Sequence, residues 1–139
     1  MGQKIKTQWL DNMLFNADTL GGNLKIDASE DAGGQGKGVR PKALMLTSLA
    51  GCTGMDIVAL LKKMRAEVDQ IEIDVTGELT DEHPKFYHKV LVEYKFYAKE
   101  FKKDKIEKAI NLSVERYCGV MEMFRKFADV TIDIEYIKK

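Results

Sequence analysis

Two cysteines, Cys52 and Cys118, are the residues of this 139-residue chain whose type best suits chemistry. Cys52 stands in Ala50-Gly51-Cys52-Thr53-Gly54, inside a long apolar run, and Cys118 in Tyr117-Cys118-Gly119. One pair is too few for a disulfide framework, and a reducing compartment keeps a purely structural bridge open, so pairing between them reads as transient redox chemistry. An attacking thiol must be a thiolate, its pKa lowered from about 8.5 by a nearby cation or a helix N-terminus. Composition alone favours the alternative of two inert thiols, because free Cys is among the most buried residue types.

The remaining candidates are weaker. His83 and His88 flank a turn, and two histidines fall short of the three or four converging ligands that a metal site needs. Asp56 follows Cys52 at i+4, one turn along the same helical face; a buried carboxylate there raises a thiol's pKa, so Asp56 reads as a packing or hydrogen-bonding residue. The string GGQGKGV lacks the Walker spacing and its Lys-Ser/Thr ending, which argues against a nucleotide-phosphate loop.

The element that must position Cys52 is the stretch Pro41 to Ala66. From Ala43 to Leu61 its only charged side chain is Asp56, and apolar residues fall on every side, the pattern of a long central helix buried nearly all round. Pro41 suits the first turn, and Lys62, Lys63 and Arg65 place positive charge over the terminal carbonyls. A membrane-spanning reading fails on Asp56, two glycines and three hydroxyl residues within the run.

Around this helix the pattern is mostly period two. Lys4–Trp9, Met13–Ala17 and Asn23–Ala28 read as a three-stranded meander, followed by a flexible glycine-rich loop from Ser29 to Val39. Ile71–Leu79 and Lys85–Lys99 alternate as an antiparallel hairpin, with Phe86, His88, Val90, Val92, Tyr94 and Phe96 sharing one face. Asp104 and Glu107 resemble a capping box at the start of a helix that runs towards Tyr117, Cys118-Gly119 interrupts it, and Val120–Phe127 forms a second short helix. Val130, Ile132, Ile134 and Tyr136 supply a last strand that completes the sheet. The order βββ-α-ββ-αα-β groups its strands and helices, which predicts an α+β domain over residues 1–139. An all-round apolar helix asks for more cover than these elements provide, and a partner subunit is the natural supplement.

The 22 basic and 22 acidic residues cancel and are interspersed, leaving no basic footprint for nucleic acid and none for an acidic membrane. The opening MGQKIKTQWL lacks the apolar core of a signal peptide and carries Lys6 where a myristoylation motif wants Ser or Thr, so a cytoplasmic location is expected.

The string RPKALMLTSLAGCTGMD, Arg40 to Asp56, resembles the P-x-x-L-L-L-x-x-L-x-G-C-T core of the osmotically inducible protein C (OsmC) and organic hydroperoxide resistance (Ohr) family. Glu115-Arg116-Tyr117-Cys118-Gly119-Val120 is similar to its second-cysteine segment, and the element order matches across essentially the whole chain. The resemblance implies an OsmC-like fold and an intertwined homodimer, with each long helix covered by both subunits and the active sites at the interface. It also implies a thiol peroxidase without metal or other cofactor, acting on organic hydroperoxides and recycled by an external dithiol. Carried onto this chain, Cys52 is the peroxidatic thiol that becomes a sulfenic acid and Cys118 the resolving thiol that closes a disulfide with it.

In peroxide-reducing members a glutamate ten positions before the first cysteine orients an arginine from the N-terminal strands; here that position is Lys42, and no arginine precedes Arg40. The chain therefore resembles the branch in which this position is not acidic. Arg40 or Lys42 is the expected source of positive charge for Cys52, with Arg116 a further candidate, against the reading of all three as solvated surface cations. The alternative on the same fold is a non-enzymatic dimer that binds a small molecule or lipid, or senses redox state.

Overall fold

Short alternating stretches punctuated by Asn12 and Gly21 fold as β1 (Lys6–Asp11), β2 (Leu14–Thr19) and β3 (Gly22–Ile26). They pair antiparallel in the order β1-β2-β3, the meander read from the sequence. Asn12 at φ 45° and Gly21 at φ 96° supply the left-handed backbone that such tight hairpin turns need. This computed structural model describes residues 1–139, in two compact units, Met1–Met45 and Leu46–Lys139.

The glycine-rich stretch after β3 is ordered, contrary to the flexible loop expected. Asp27 is buried, and its carboxylate accepts the backbone N–H groups of Ala28 (2.8 Å), Gln35 (3.0 Å) and Lys37 (3.1 Å). Val39 then bridges back to Ile26, donating to Lys25 O and accepting from Asp27 N at 3.0 Å each. The donors with which such a loop would cradle a phosphate thus serve an internal carboxylate. The composition signalled chain flexibility; a single carboxylate just ahead of the stretch overrides it.

The apolar run forms α1 (Leu44–Lys63). Pro41–Ala43 lead into it as a turn instead of forming its first helical residues, with i→i+3 bonds from Leu44 N to Pro41 O (3.2 Å) and from Met45 N to Lys42 O (3.1 Å). At the far end Lys102 Nζ and Lys105 Nζ donate to Arg65 O (2.8 Å) and Met64 O (3.0 Å), bringing cations to terminal carbonyls from outside the helix.

α1 is not buried all round within the single chain. Leu49, Thr53, Ile57 and Leu61, one i, i+4 stripe, are buried, whereas Met55 is 76% and Val58 57% exposed. One sheet covers one side of a helix. By length and composition alone α1 could cross a membrane; its buried stripe joins a core with Val90, Val92, Tyr94, Phe96, Ile106, Ile110, Met121 and Phe124.

That sheet is separate from the meander, so the strands form two sheets where the sequence suggested one. β4 (Gln70–Leu79) and β5 (Tyr87–Ala98) make the expected antiparallel hairpin. β6 (Asp129–Lys138) lies parallel on the other edge of β5, a pairing permitted by the helical crossover between them. The alternation of β5 slips once. A register shift after Glu78 pairs Leu79 with Tyr87, so Tyr87 turns inward in place of His88, and Phe86 is exposed. Gly77 makes room: a Cβ there would stand 2.5 Å from Tyr87 Cδ1.

The crossover comprises α2 (Lys103–Leu112), a π-helical turn at Ser113–Tyr117, and α3 (Gly119–Arg125). The capping box does not form: Lys102 is the N-cap residue of α2 and no side chain caps it, while Asp104 sits in the first turn. The architecture is α+β, as expected.

Candidate active site

Cys52 is the ninth residue of α1 and lies on its flank, between the buried stripe and the open side. Cys118 sits where the chain leaves the π-helical turn: its backbone is extended (φ −80°, ψ 102°), and it forms the N-cap of α3, its sulfur accepting Met121 N–H at 3.3 Å. The break at Cys118-Gly119 was legible; the π-helical turn ahead of it, a feature frequent at functional sites, was not.

The fold brings the two thiols together. Their side chains lie close enough to interact, and both cysteines are free. Cys118 is buried, Cys52 half-buried. Burial first, then the neighbouring Cys52 thiol, pushes the Cys118 thiol up from 9.0 to about 12. Cys118 therefore keeps its proton near neutrality.

A polar network invisible to periodicity lies beside the thiols. Thr53, Tyr94 and Ser113 are fully buried within an apolar core. Thr53 Oγ1 lies 2.8 Å from Tyr94 Oη and 2.8 Å from Ser113 Oγ, and Ser113 Oγ donates to Asp56 Oδ2 at 2.9 Å. Asp56 thus has the hydrogen-bonding role read for it. Burial and the neighbouring Cys118 and Asp56 charges raise the Tyr94 phenol, the first being the main cause. The available signal was a hydroxyl at two apolar-stripe positions, Thr53 and Ser113.

Arg125, also missed, holds the π-helical turn: Nη1 donates to Val114 O at 2.5 Å, and the guanidinium pairs with Glu122 at 3.3 Å and Glu115 at 3.7 Å. Arg116 is exposed and faces a surface concavity shared with Asp104, Glu107 and Lys108. Arg40 donates from Nη1 to Gly38 O at 3.1 Å and its charge helps to hold the Asp27 carboxyl below the usual range, after the backbone bonds from Gln35 and Lys37. Lys42 is exposed. His83 lies in the turn before β5 and His88 within it. Of the two α1 glycines only Gly54 is approached closely, by Ile73; Gly51 faces open space. Both line an apolar groove of about 480 Å³ with Met55, Val58, Ala59 and Ile73, on the side of α1 opposite its buried stripe.

Residues 34–133, which carry both cysteines and the helical crossover, match the family model described as OsmC-like protein. The chain belongs to the OsmC-like family. Relatives of this OsmC-like chain include protein YhfA of Escherichia coli K12, 24% identical over 96% of this chain and 98% of its own length. A hypothetical protein of Aquifex aeolicus VF5 superposes with a TM-score of 0.87 at 28% identity, covering 100% of this chain and 98% of that one. The organic hydroperoxide resistance protein OhrB of Bacillus subtilis shares the fold at a TM-score of 0.65 and 20% identity, over 97% and 98% of the two chains. These likenesses bear out the OsmC-like α+β fold read from the sequence.

Proposed function

We propose that this chain is a thiol peroxidase of organic hydroperoxides, working as a homodimer in oxidative-stress defence. The observation that carries the reading is the meeting of the Cys52 and Cys118 thiols, which come from distant parts of the sequence. Membership of the OsmC-like family, which suggests a redox or peroxide-stress function, supports it.

In this reading the Cys52 thiolate attacks the terminal oxygen of R–O–O–H. The O–O bond breaks, the alkoxide takes up a proton and leaves as ROH, and Cys52 becomes a sulfenic acid. Cys118 sulfur then attacks Cys52 sulfur; the S–O bond breaks, the hydroxyl leaves as water with the Cys118 proton, and the S–S bond forms. An external dithiol reduces that disulfide and is itself oxidised. Arg40 and Lys42 are the proposed sources of positive charge for Cys52, to be checked by titrating its thiol in Arg40→Ala and Lys42→Ala proteins; an unchanged pKa in both removes them from the mechanism.

The deciding experiment is a single turnover of reduced protein with about one equivalent of cumene hydroperoxide, followed by thiol counting and peptide mapping. Rapid loss of both thiols with a Cys52–Cys118 linkage is expected. Survival of both sinks the reading. The alternative, a non-enzymatic dimer that binds a small molecule or lipid, draws on the apolar groove along Gly51, Met55 and Val58; it predicts ligand retention after Cys52→Ser.

A further inference from the structure

The direction of every hydrogen bond in the buried network is forced. Ser113 has one hydroxyl hydrogen and donates it to Asp56, so its oxygen must accept from Thr53; Thr53 has then donated its own and must accept from Tyr94. The chain runs Tyr94 to Thr53 to Ser113 to Asp56, from β5 through α1 and the crossover back to α1, and terminates on the carboxylate one helical turn beyond Cys52. Ser113 also has a second role, through its backbone. Its carbonyl accepts the Cys118 N–H at 2.9 Å, which closes the π-helical turn. Asp56 on α1 is therefore joined to the Cys118 backbone by two successive bonds, and neither involves a sulfur atom.

We propose that Asp56 is a positioning residue for the thiol pair: through Ser113 it tethers the turn carrying Cys118 to the helix carrying Cys52, independently of the thiol–thiol contact. This rests on the peroxidase reading for its purpose. When Cys52 becomes a sulfenic acid, its sulfur gains an oxygen and the direct thiol–thiol contact changes. The tether keeps Cys118 within reach at that moment. It accelerates the second step, in which the Cys118 S–H bond and the Cys52 S–O bond break while S–S and water form, and contributes little to the first. A misplacement of about 1 Å can cost on the order of a hundredfold in such a step.

The test separates the steps. Asp56→Ala loses the acceptor for Ser113, whereas Asp56→Asn keeps a carbonyl oxygen that can accept the same bond; Ser113→Ala cuts the tether at its other end. Each reduced protein is mixed with cumene hydroperoxide and sampled with dimedone, which traps sulfenic acid, alongside mass spectrometry of the disulfide. In the wild type and Asp56→Asn, disulfide forms with little trapped sulfenic acid. In Asp56→Ala sulfenic acid on Cys52 appears at the rate of the equally uncharged Asp56→Asn, and in Ser113→Ala at the wild-type rate, but in both it converts to disulfide at least about tenfold more slowly. Equal conversion in all four proteins overturns the proposal.

A second measurement keeps the tether testable if Cys52 does not react with peroxide. The equilibrium between the Cys52–Cys118 disulfide and a glutathione redox buffer reports the effective concentration of one thiol at the other. That value falls at least about tenfold in Asp56→Ala and is retained in Asp56→Asn if the tether operates. An unchanged value in a folded Asp56→Ala protein overturns it whatever the fate of the peroxidase reading.

Discussion

Asp27 in the first unit and Asp56 in the second are both carboxylates drawn in from the surface, and they are held in opposite ways. Asp27 takes three backbone N–H bonds directly, from the loop that follows it. Its lone pairs are largely committed to peptide groups, and those bonds, led by Gln35 and Lys37, keep its pKa below the ordinary value. Asp56 takes one side-chain bond, at the end of a chain of three hydroxyls, beside two thiols. A carboxylate saturated by backbone donors builds structure. One held by a single hydroxyl keeps capacity and charge to influence its neighbours, and here the neighbours are cysteines.

The largest effect expected is on the thiol side of this comparison. Cys52→Ser should reduce hydroperoxide-driven oxidation to background in a thiol-consumption assay, while Asp27→Asn should leave it intact in protein that is folded. A loss in both would mean that the first unit also serves the chemistry.

Asp27→Asn sharpens the contrast from the other direction. An amide cannot accept at both of the positions that bind Ala28 and those that bind Gln35 and Lys37, so buried N–H groups lose partners. The thermal midpoint should drop by a few degrees and amide exchange at Gln35 and Lys37 should speed up, whereas Asp56→Asn should leave both unchanged. The sign with pH follows: because the folded pKa of Asp27 is lowered from 3.8, its contribution is present above that value and is lost as pH falls through the lower, folded pKa. Protection of the loop should fade in that acidic window.

Cys118 gives the opposite window. With its pKa raised from 9.0 to about 12, the stabilisation of its thiol form is complete below 9.0 and is lost as pH rises towards 12. Alkaline destabilisation in that range should be smaller in Cys118→Ala. Near neutrality iodoacetamide should label Cys52 before Cys118, read by mass spectrometry.

The smallest effect belongs to the end of α1. Lys102→Ala removes a cation from the Arg65 carbonyl and should cost about 0.3–1 kcal/mol in denaturant unfolding, less at high salt.

The amino-acid sequence by itself determined where the helices and strands lie, because the periods of 2 and 3.6 are local. It showed the meander, α1, the β4–β5 hairpin, the break at Cys118 and the two cysteines as candidates for chemistry. The slip at Tyr87 escaped it because a register shift after Glu78 depends on the opposite strand and on the space left by Gly77. The ordered loop escaped it because Asp27 reaches donors eight and ten residues away through a turn that only backbone geometry creates. The exposed side of α1 escaped it because apolarity records what a helix can bury, and the sheet available in one chain decides what it does bury. The meeting of Cys52 with Cys118, and of Asp56 with Ser113, is a property of the tertiary structure alone. Hydrogen bonds act over about 3 Å, and only packing α1 against the crossover brings such residues within that range.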